Sequence, residues 1–303
     1  MLLLSMMTTL PLTFREDSAK SAACAEVAKQ MMQKYAKLNV KPDEIGLCVM
    51  EFGGDGTVKY GHFRGNDPFY PASVIKLFYL AHGAFLQDKG ALKLTPERNR
   101  AFTEMIRESD NDATAFVLDE LTGTTSGPEL EPKKLQEWER QRQKVNNFFV
   151  SRGYKGVNAC QKTWTFGPYG RDKQSYGPNN ENRNRLTPFE TARLMAEIAL
   201  VEGFKPASQK WMMDILERKD PKDSQRAGFI GGVMPKNARI WSKSGWTSWC
   251  RHDVALIQRE TGERAIFCVY LLNHPNDKDL FFDLSRGLLS LVAGFGSPPD
   301  SRS

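Results

Sequence analysis

The sequence lacks several features that would assign it to a specialised class of protein. Its five cysteines include no C-x-x-C pair, and none has a histidine at metal-binding spacing, so we expect no zinc site. Because the cysteine count is odd, at least one thiol is left free. Basic and acidic residues are interspersed without a run of five or six like charges, which disfavours nucleic-acid binding despite the net charge of +6.

Long apolar runs are also missing. The apolar N-terminal stretch, residues 1–14, is too short to span a membrane and has no basic segment before it. Charged residues follow directly at Arg15, Glu16 and Asp17, so we expect residues 1–18 to be a tail or the remnant of a secretion signal. Residues 297–303 read as a short C-terminal tail.

The remaining residues predict strands at both ends of the chain around a helical middle. With 303 residues the chain can form one large domain or two lobes that share a cleft. Spacing near 3.6 predicts a first helix, apolar alternation with turn residues predicts strands, and helical patterns dominate from 95 to 207. The predicted elements outside that region are a helix over 19–37, a hairpin of 45–52 and 57–63, strands over 239–244, 252–257 and 264–272, and a last helix over 279–292.

We therefore predict an α+β sandwich in which remote segments build one antiparallel sheet and a helical lobe is inserted between them. The predicted α/β lobe consists of residues 19–72 and 235–296, and the helical lobe of residues 73–234. Within the helical lobe we expect a polar, mostly solvated helix over 129–150 and a long loop over 163–185. Thr187 as N-cap and Pro188 at the first position predict the start of another helix.

Ser73 and Lys76 are the first residues of the sequence that indicate a catalytic site. Residues three apart share a helix face, so the lysine amine can reach the serine hydroxyl. The apolar neighbours predict a buried helix, and burial favours the neutral amine that a general base requires. A lone S-x-x-K pattern is weak evidence, because a capping serine followed by an ordinary lysine looks the same.

Two more motifs follow in the order that a known family uses. They are Ser109-Asp110-Asn111 and Lys243-Ser244-Gly245. With the S-x-x-K motif, the chain resembles the class A β-lactamase and penicillin-binding serine hydrolase superfamily from about residue 45 to the last helix. The order of the predicted hairpin, helices and strands agrees with this resemblance, which implies a β-lactamase/transpeptidase-like fold.

The resemblance implies a role for each motif residue. Ser73 would be the acylated nucleophile, Lys76 its proton partner and Ser109 a proton shuttle to the leaving nitrogen. Asn111 would contact the amide side chain of the substrate, Lys243 would add positive potential, and Ser244 would bind the substrate carboxylate. The backbone N–H groups of Ser73 and Trp246, next to Gly245, would form the oxyanion hole.

Arg251 opens a predicted strand at the place where many class A enzymes carry a carboxylate-binding arginine. A guanidinium matches a carboxylate well, but an arginine at a strand end can equally be solvated. Both interpretations of Arg251 stay open at this point.

The chain departs from class A enzymes in the loop that supplies their deacylating glutamate. The expected position, counted back from Thr187, falls near Arg171, and Glu181 is the only glutamate of the loop. Glu181 is therefore a weak candidate for the deacylation base, and Asp172 a weaker one. The spacing from Ser73 to Ser109 is also shorter than usual, which predicts a different rim for the cleft.

We expect an acyl-enzyme serine hydrolase acting on a small β-lactam, amide or ester substrate, without cofactor, metal or nucleic acid, as a monomer. The resemblance favours a secreted or periplasmic location. Two alternatives stay open. One is a relative of the penicillin-binding D-alanyl peptidases and esterases with slow deacylation, and the other is a non-catalytic ligand-binding member.

Overall fold

The computed structural model describes residues 12–296, so the predicted C-terminal tail and most of the predicted N-terminal tail lie outside the described residues. Within this range six strands and eleven α-helices are formed, and the α+β class is confirmed. The strands are β1 (Thr13–Glu16), β2 (Ile45–Phe52), β3 (Thr57–Phe63), β4 (Arg239–Thr247), β5 (Cys250–Gln258) and β6 (Arg264–Leu272).

The six strands form one sheet in the order β1-β3-β2-β6-β5-β4. All neighbours are antiparallel except β1 and β3. The central pair joins the two ends of the chain, since Ile45 of β2 lies opposite Leu271 of β6. The predicted assembly of one sheet from remote segments is therefore confirmed.

Both faces of the sheet are covered. Leu47 and Val49 of β2 belong to a core shared with α1 (Ser18–Lys34) and α11 (Lys278–Leu289). Cys48 and Met50 belong to a second core, shared with the helices that lie between β3 and β4 in the sequence. Burial on both faces explains the almost continuous apolar run of this strand.

The helices between β3 and β4 surround α2, in which every residue from Ile75 to Ala84 is buried. A helix that is apolar on all sides is stable only inside a core. The bounds of this set are α2 (Ile75–Asp88), α3 (Pro96–Arg107), α4 (Asn111–Thr122), α5 (Pro132–Arg142), α6 (Lys144–Ser151), α7 (Gly170–Gln174), α8 (Pro188–Ala199), α9 (Pro206–Leu216) and α10 (Ser224–Ala227). The lobe boundaries at residues 72 and 235 stay predictions.

Two local predictions are confirmed by hydrogen bonds. Thr187 caps α8, because its Oγ1 accepts a hydrogen bond of 3.1 Å from the N–H of Glu190, and Pro188 takes the first helical position. The hairpin between β2 and β3 turns at residues 53–56, where Gly56 adopts a φ of 81°. Glycine reaches that conformation without steric cost.

Three local predictions were wrong in detail. The segment 13–16, expected in a tail, is the edge strand β1, which pairs with β3 from Thr13 opposite Thr57. The expected polar helix over 129–150 is divided into α5 and α6. The solvated character predicted for 129–150 is confirmed in α5, where only Trp138 and Arg142 are buried, but not in α6, half of which is buried. The loop expected over 163–185 contains the short helix α7.

All five cysteines are buried free thiols. Over residues 12–296 there is no helix with the length and apolar character needed to cross a membrane. The same residues contain no group of three or more potential ligands that could hold a metal ion.

Candidate active site

Ser73 lies in a single 3-10 turn, Ala72–Val74, that leads directly into α2. The turn is closed by a hydrogen bond of 3.1 Å from the N–H of Val74 to the carbonyl of Pro71. Ala72 has a φ of 47°, a left-handed conformation that costs about 1 kcal/mol or more for a residue with a side chain. The backbone before Ser73 is therefore held in place by its surroundings.

Strand β4 runs closely past this turn at Gly245. A Cβ atom on Gly245 would lie 2.7 Å from the carbonyl oxygen of Pro71 and 3.0 Å from the nitrogen of Ser73. Such contacts are shorter than real Cβ atoms tolerate, so only glycine permits this approach. The missing side chain brings the Lys243-Ser244-Gly245 segment against the Ser73 turn.

Lys76 is fully buried. Within the described residues its Nζ hydrogen-bonds the Ser109–Asn111 segment and not the Ser73 hydroxyl, which the sequence predicted it to reach. The acceptors are the backbone oxygen of Ser109 at 2.5 Å, Asn111 Oδ1 at 2.8 Å, the backbone oxygen of Asp110 at 3.3 Å and Ser109 Oγ at 3.4 Å. Burial lowers the pKa of Lys76 from 10.5 to about 7, and the Asp110 carboxylate opposes this shift. A substantial fraction of the amine is therefore neutral near pH 7.

Lys243 approaches Ser109 from the sheet. Its Nζ donates to Ser109 Oγ at 2.9 Å and to the backbone oxygen of Ser244 at 2.8 Å. Burial is the main cause that holds the pKa of Lys243 well below its ordinary value, and the nearby Lys76 adds to it. The Ser109 hydroxyl thus lies within hydrogen-bond distance of two buried lysines.

The Ser109 turn is fixed by its own backbone. Ser109 has a φ of 56°, and Asp110 is the N-cap of α4, accepting a hydrogen bond of 2.6 Å from the N–H of Ala113. The aspartate of the motif thus has a structural task. It ends the turn and starts the helix that carries Asn111.

Asn111 connects this turn to the long loop. Its Oδ1 accepts a hydrogen bond of 2.8 Å from Thr163 Oγ1 in addition to that from Lys76. Its Nδ2 donates to Thr165 Oγ1 at 3.2 Å. Sequence reasoning did not single out these two threonines, although it did mark the loop that begins with them as functional.

A cavity of about 580 Å³ opens beside Ser73. Arg251 and Lys278 are the charged side chains of its lining, and no carboxylate lines it within the described residues. The lining consists of Ser73, Ser109, Asn111, Ser224, Gln225, Ala227, Gly228, Phe229, Ser244, Trp246, Arg251 and Lys278. Such a cavity favours an anionic ligand.

Arg251 is buried in the wall of this cavity rather than solvated at a strand end. Its Nε donates to the backbone oxygen of Pro275 at 2.8 Å, and its Nη1 donates to that of Gly228 at 2.7 Å. Its guanidinium also lies 5.2 Å from the ring centre of Phe229. Two nitrogens of the guanidinium thus bond the backbone of the cavity wall.

Ser244 and Trp246 complete the sheet side of the cavity. The hydroxyl of Ser244 donates to Gln225 Oε1, and the indole Nε1 of Trp246 donates to the backbone oxygen of Pro275 at 3.3 Å. Trp246 is nevertheless 53% exposed at the cavity mouth. Sequence reasoning missed Gln225, Ser224 and Lys278, because no motif contains them.

The carboxylates considered for deacylation lie elsewhere. Glu181 is exposed, and its Oε2 accepts a hydrogen bond of 2.9 Å from the N–H of Asn179 in its own loop. Asp172 is fully buried and pairs with Arg142 at 3.2 Å. Arg171, at the position expected for a glutamate, donates to the backbone oxygen of Pro128.

Comparisons with known proteins agree with the fold described above. Residues 97–290 match the model of the beta-lactamase enzyme family. A solved beta-lactamase from Chitinophaga pinensis superposes with a TM-score of 0.63 at 14% identity, covering 87% of this chain and 97% of that one. A second, from Sphaerobacter thermophilus, gives 0.64 at 18% identity and covers 90% and 97%.

A third similar structure is a variant of PBP-A solved as an acyl-enzyme complex with penicillin G. Its TM-score is 0.62 at 19% identity, and the match covers 92% of this chain and 97% of that one. At these identities the likeness shows the fold alone. Among curated proteins, no sequence matches this chain.

Proposed function

The chain belongs to the beta-lactamase enzyme family, and we propose that it is a serine hydrolase that forms an acyl-enzyme at Ser73. The observation that carries the proposal is the convergence of Lys76 and Lys243 on the hydroxyl of Ser109 beside the Ser73 turn. Burying two lysines beside one serine is costly, because burial disfavours the charged form of each amine. A proton-transfer network explains their positions.

Acylation begins with the neutral form of Lys76. Its lowered pKa supplies a free amine near pH 7, and Lys76 follows Ser73 by one turn of the same segment. The amine takes the proton of Ser73 Oγ as that oxygen attacks the substrate carbonyl carbon. The new bond joins Oγ to the acyl carbon, and the carbonyl oxygen gains the negative charge.

The oxyanion is received by the backbone N–H groups of Ser73 and Trp246. Support for this assignment comes from the contact between strand β4 and the Ser73 turn at Gly245. Preorganised N–H donors in such a position stabilise the tetrahedral intermediate without reorganisation.

The leaving group receives its proton from Ser109. Its hydroxyl lies 3.4 Å from Lys76 Nζ and 2.9 Å from Lys243 Nζ. Lys76, protonated in the first step, returns that proton through Ser109 Oγ to the departing nitrogen or oxygen. Lys243 holds the hydroxyl in position and stabilises the partial negative charge on it.

The substrate carries an anionic group beside the bond that breaks. Arg251, Lys278 and Ser244 line the cavity, and no carboxylate is part of its lining within residues 12–296. A carboxylate on a β-lactam, amide or ester fits this set of donors. Asn111 contacts the substrate with the Nδ2 hydrogen that Thr165 does not use.

We assign this chain a slow release of β-lactam acyl groups. Neither Glu181 nor Asp172 lines the cavity, and hydrolysis needs a base for the attacking water. The observation favours the behaviour of a penicillin-binding D-alanyl peptidase or esterase over rapid β-lactam turnover. A non-catalytic ligand-binding member would not need the lysine network.

Intact-mass spectrometry after incubation with penicillins, cephalosporins and simple esters tests the proposal. We expect one adduct on Ser73 and none on the Ser73→Ala variant. With nitrocefin we expect a burst of colour followed by a persistent adduct. Steady turnover without adduct would indicate a β-lactamase, and no adduct with any probe would reject the serine mechanism.

A further inference from the structure

His252 is a fully buried titratable residue that the proposed mechanism does not use. It lies on β5, directly opposite Gly245 of β4. Its Nε2 is 3.0 Å from the backbone oxygen of Tyr70, and its Nδ1 is 3.0 Å from the backbone nitrogen of Leu271. The side chain thus connects the sheet with the segment that leads to Ser73.

The hydrogen bonds define the tautomer of His252. The N–H of Leu271 can only donate, so Nδ1 accepts and carries no proton. The ring proton is then on Nε2 and is donated to the Tyr70 carbonyl. A second proton on Nδ1 would face the Leu271 N–H, and burial lowers the pKa of His252 to about 3. The ring is therefore neutral near pH 7.

Tyr70 is held by its ring as well. The ring stacks on Trp249 with a centroid distance of 5.0 Å, and the guanidinium of Arg183 lies 4.0 Å from its centre. Tyr70 precedes the left-handed Ala72 by two residues and Ser73 by three. A strained backbone persists only where its surroundings fix it, and the Tyr70 carbonyl is one such anchor.

The position of His252 opposite Gly245 makes this anchor relevant to the oxyanion. Gly245 passes so close to the Ser73 turn that an added Cβ would lie 3.0 Å from the nitrogen of Ser73, and the next residue is Trp246. The pair of Gly245 and His252 therefore connects both proposed donors. His252 reaches the N–H of Ser73 through the Tyr70 segment, and Gly245 reaches the N–H of Trp246 through strand β4. A small shift of the Tyr70 segment or of strand β4 would misalign the two hydrogen bonds to the oxyanion.

We propose that His252 is a positioning residue for acylation, which sets the separation of the two oxyanion donors by holding the Tyr70 carbonyl. The proposal rests on the proposed acyl-enzyme at Ser73. His252 affects the transition state of acylation, because the negative charge on the carbonyl oxygen that the two donors stabilise develops only during the attack of Ser73. Binding of the intact substrate depends instead on the polar and charged groups of the cavity lining, such as Arg251 and Ser244.

The test compares His252→Leu, which removes the donor, with His252→Gln, whose amide nitrogen can still donate to Tyr70. Tyr270→Phe is the matched control. The Tyr270 ring stacks on His252 at 4.4 Å, and its hydroxyl bonds Thr191, so the variant disturbs the same core without touching the Tyr70 carbonyl. Acylation rates and dissociation constants of the non-covalent complex are measured by stopped flow with an adduct-forming ester or β-lactam, and thermal midpoints are recorded.

We expect His252→Leu to lower the acylation rate about 100-fold with the dissociation constant changed less than about threefold. His252→Gln should recover at least tenfold of that loss, and affinity for a simple boronic acid should follow the acylation rate. Tyr270→Phe should acylate like the parent protein even where its thermal midpoint falls. If His252→Leu does not fold, His252→Gln takes its place in the test. We then expect His252→Gln to acylate less than about 30-fold more slowly than the parent, and a larger loss would count against the inference.

Equal acylation by the parent and His252→Leu would overturn the inference and leave the proposed function intact. A loss of rate by Tyr270→Phe as large as that by His252→Leu would assign the effect to core packing instead, and so would a failure of His252→Gln to recover activity. A parent protein that forms no adduct would reject the proposed function itself.

Discussion

Lys243 and Ser109 lie 134 residues apart in the sequence and are joined by a hydrogen bond of 2.9 Å from Nζ to Oγ. The bond crosses from the edge strand of the sheet to the turn between two helices. It couples the protonation of a buried lysine to a hydroxyl that also lies 3.4 Å from Lys76. Several measurable properties follow from this arrangement and from the groups around it.

Acylation should depend on pH through Lys76. The amine acts as a base only when neutral, and its pKa is lowered to about 7. The rate should therefore rise about tenfold per pH unit below pH 7 and level off above it. Lys76→Ala should lower the rate about 100-fold or more and abolish this profile. A profile that persists in the variant would assign the titration to another group.

Gly245→Ala should impair acylation by displacing the Ser73 turn. The added Cβ would lie 2.7 Å from the Pro71 oxygen and 3.0 Å from the Ser73 nitrogen. We expect a loss of about 100-fold in acylation rate, measured by adduct formation over time. Gly54→Ala is the control, because its Cβ would meet no atom within 4 Å. Its rate and stability should match those of the parent.

Asp253→Asn should reduce the loss of folding stability that the parent protein shows as the pH rises. Burial raises the pKa of Asp253 from 3.8 to about 7, so the unfolded chain loses this proton before the folded chain does. The stability that protonated Asp253 contributes is therefore fully present at low pH and is lost as the pH rises through about 7. As the pH is raised from 5 to 8, the free energy of unfolding of Asp253→Asn should rise by about 2 kcal/mol relative to that of the parent.

Urea denaturation at the two pH values measures this gain. Ser242→Ala is a suitable control, since its buried hydroxyl has no hydrogen-bond partner among residues 12–296 and does not titrate. Its change in free energy of unfolding should be the same at both pH values. An equal change for Asp253→Asn at both values would contradict the prediction.

Glu181→Gln should leave release of the acyl group unchanged within about twofold. The carboxylate is exposed and accepts from the Asn179 N–H, and a glutamine oxygen can accept the same bond. The decay of the Ser73 adduct, followed by mass spectrometry, checks this. A tenfold slower decay in the variant would make Glu181 the deacylation base after all.

Motifs predicted which residues meet at the site, because each motif is local. Ser73, Ser109 and Lys243 come together as their order in the sequence suggested, and the strands after residue 238 follow from apolar runs bounded by turn residues. The partner of Lys76 was less predictable. Its hydrogen bonds go to the Ser109–Asn111 segment, a choice that depends on how α2 packs beside α4.

Features that depend on contacts between distant residues could not be predicted. The edge strand β1 has four residues, too few to show a period, and exists because β3 pairs with it. The burial of Arg142 depends on Asp172 and Asp119, which lie in other segments. Gln225 and Lys278 reach the cavity only because α10 and the start of α11 border it.

The pairing of β2 with β6 has a consequence for how the molecule is made. Strand β2 ends at Phe52 and pairs with β6, which begins at Arg264, so the sheet closes only after residue 272 has been synthesised. Contacts this remote in sequence slow folding and leave strand edges open meanwhile. Labelling of Ser73 by an activated ester would then report that β6 has been synthesised and has paired with β2.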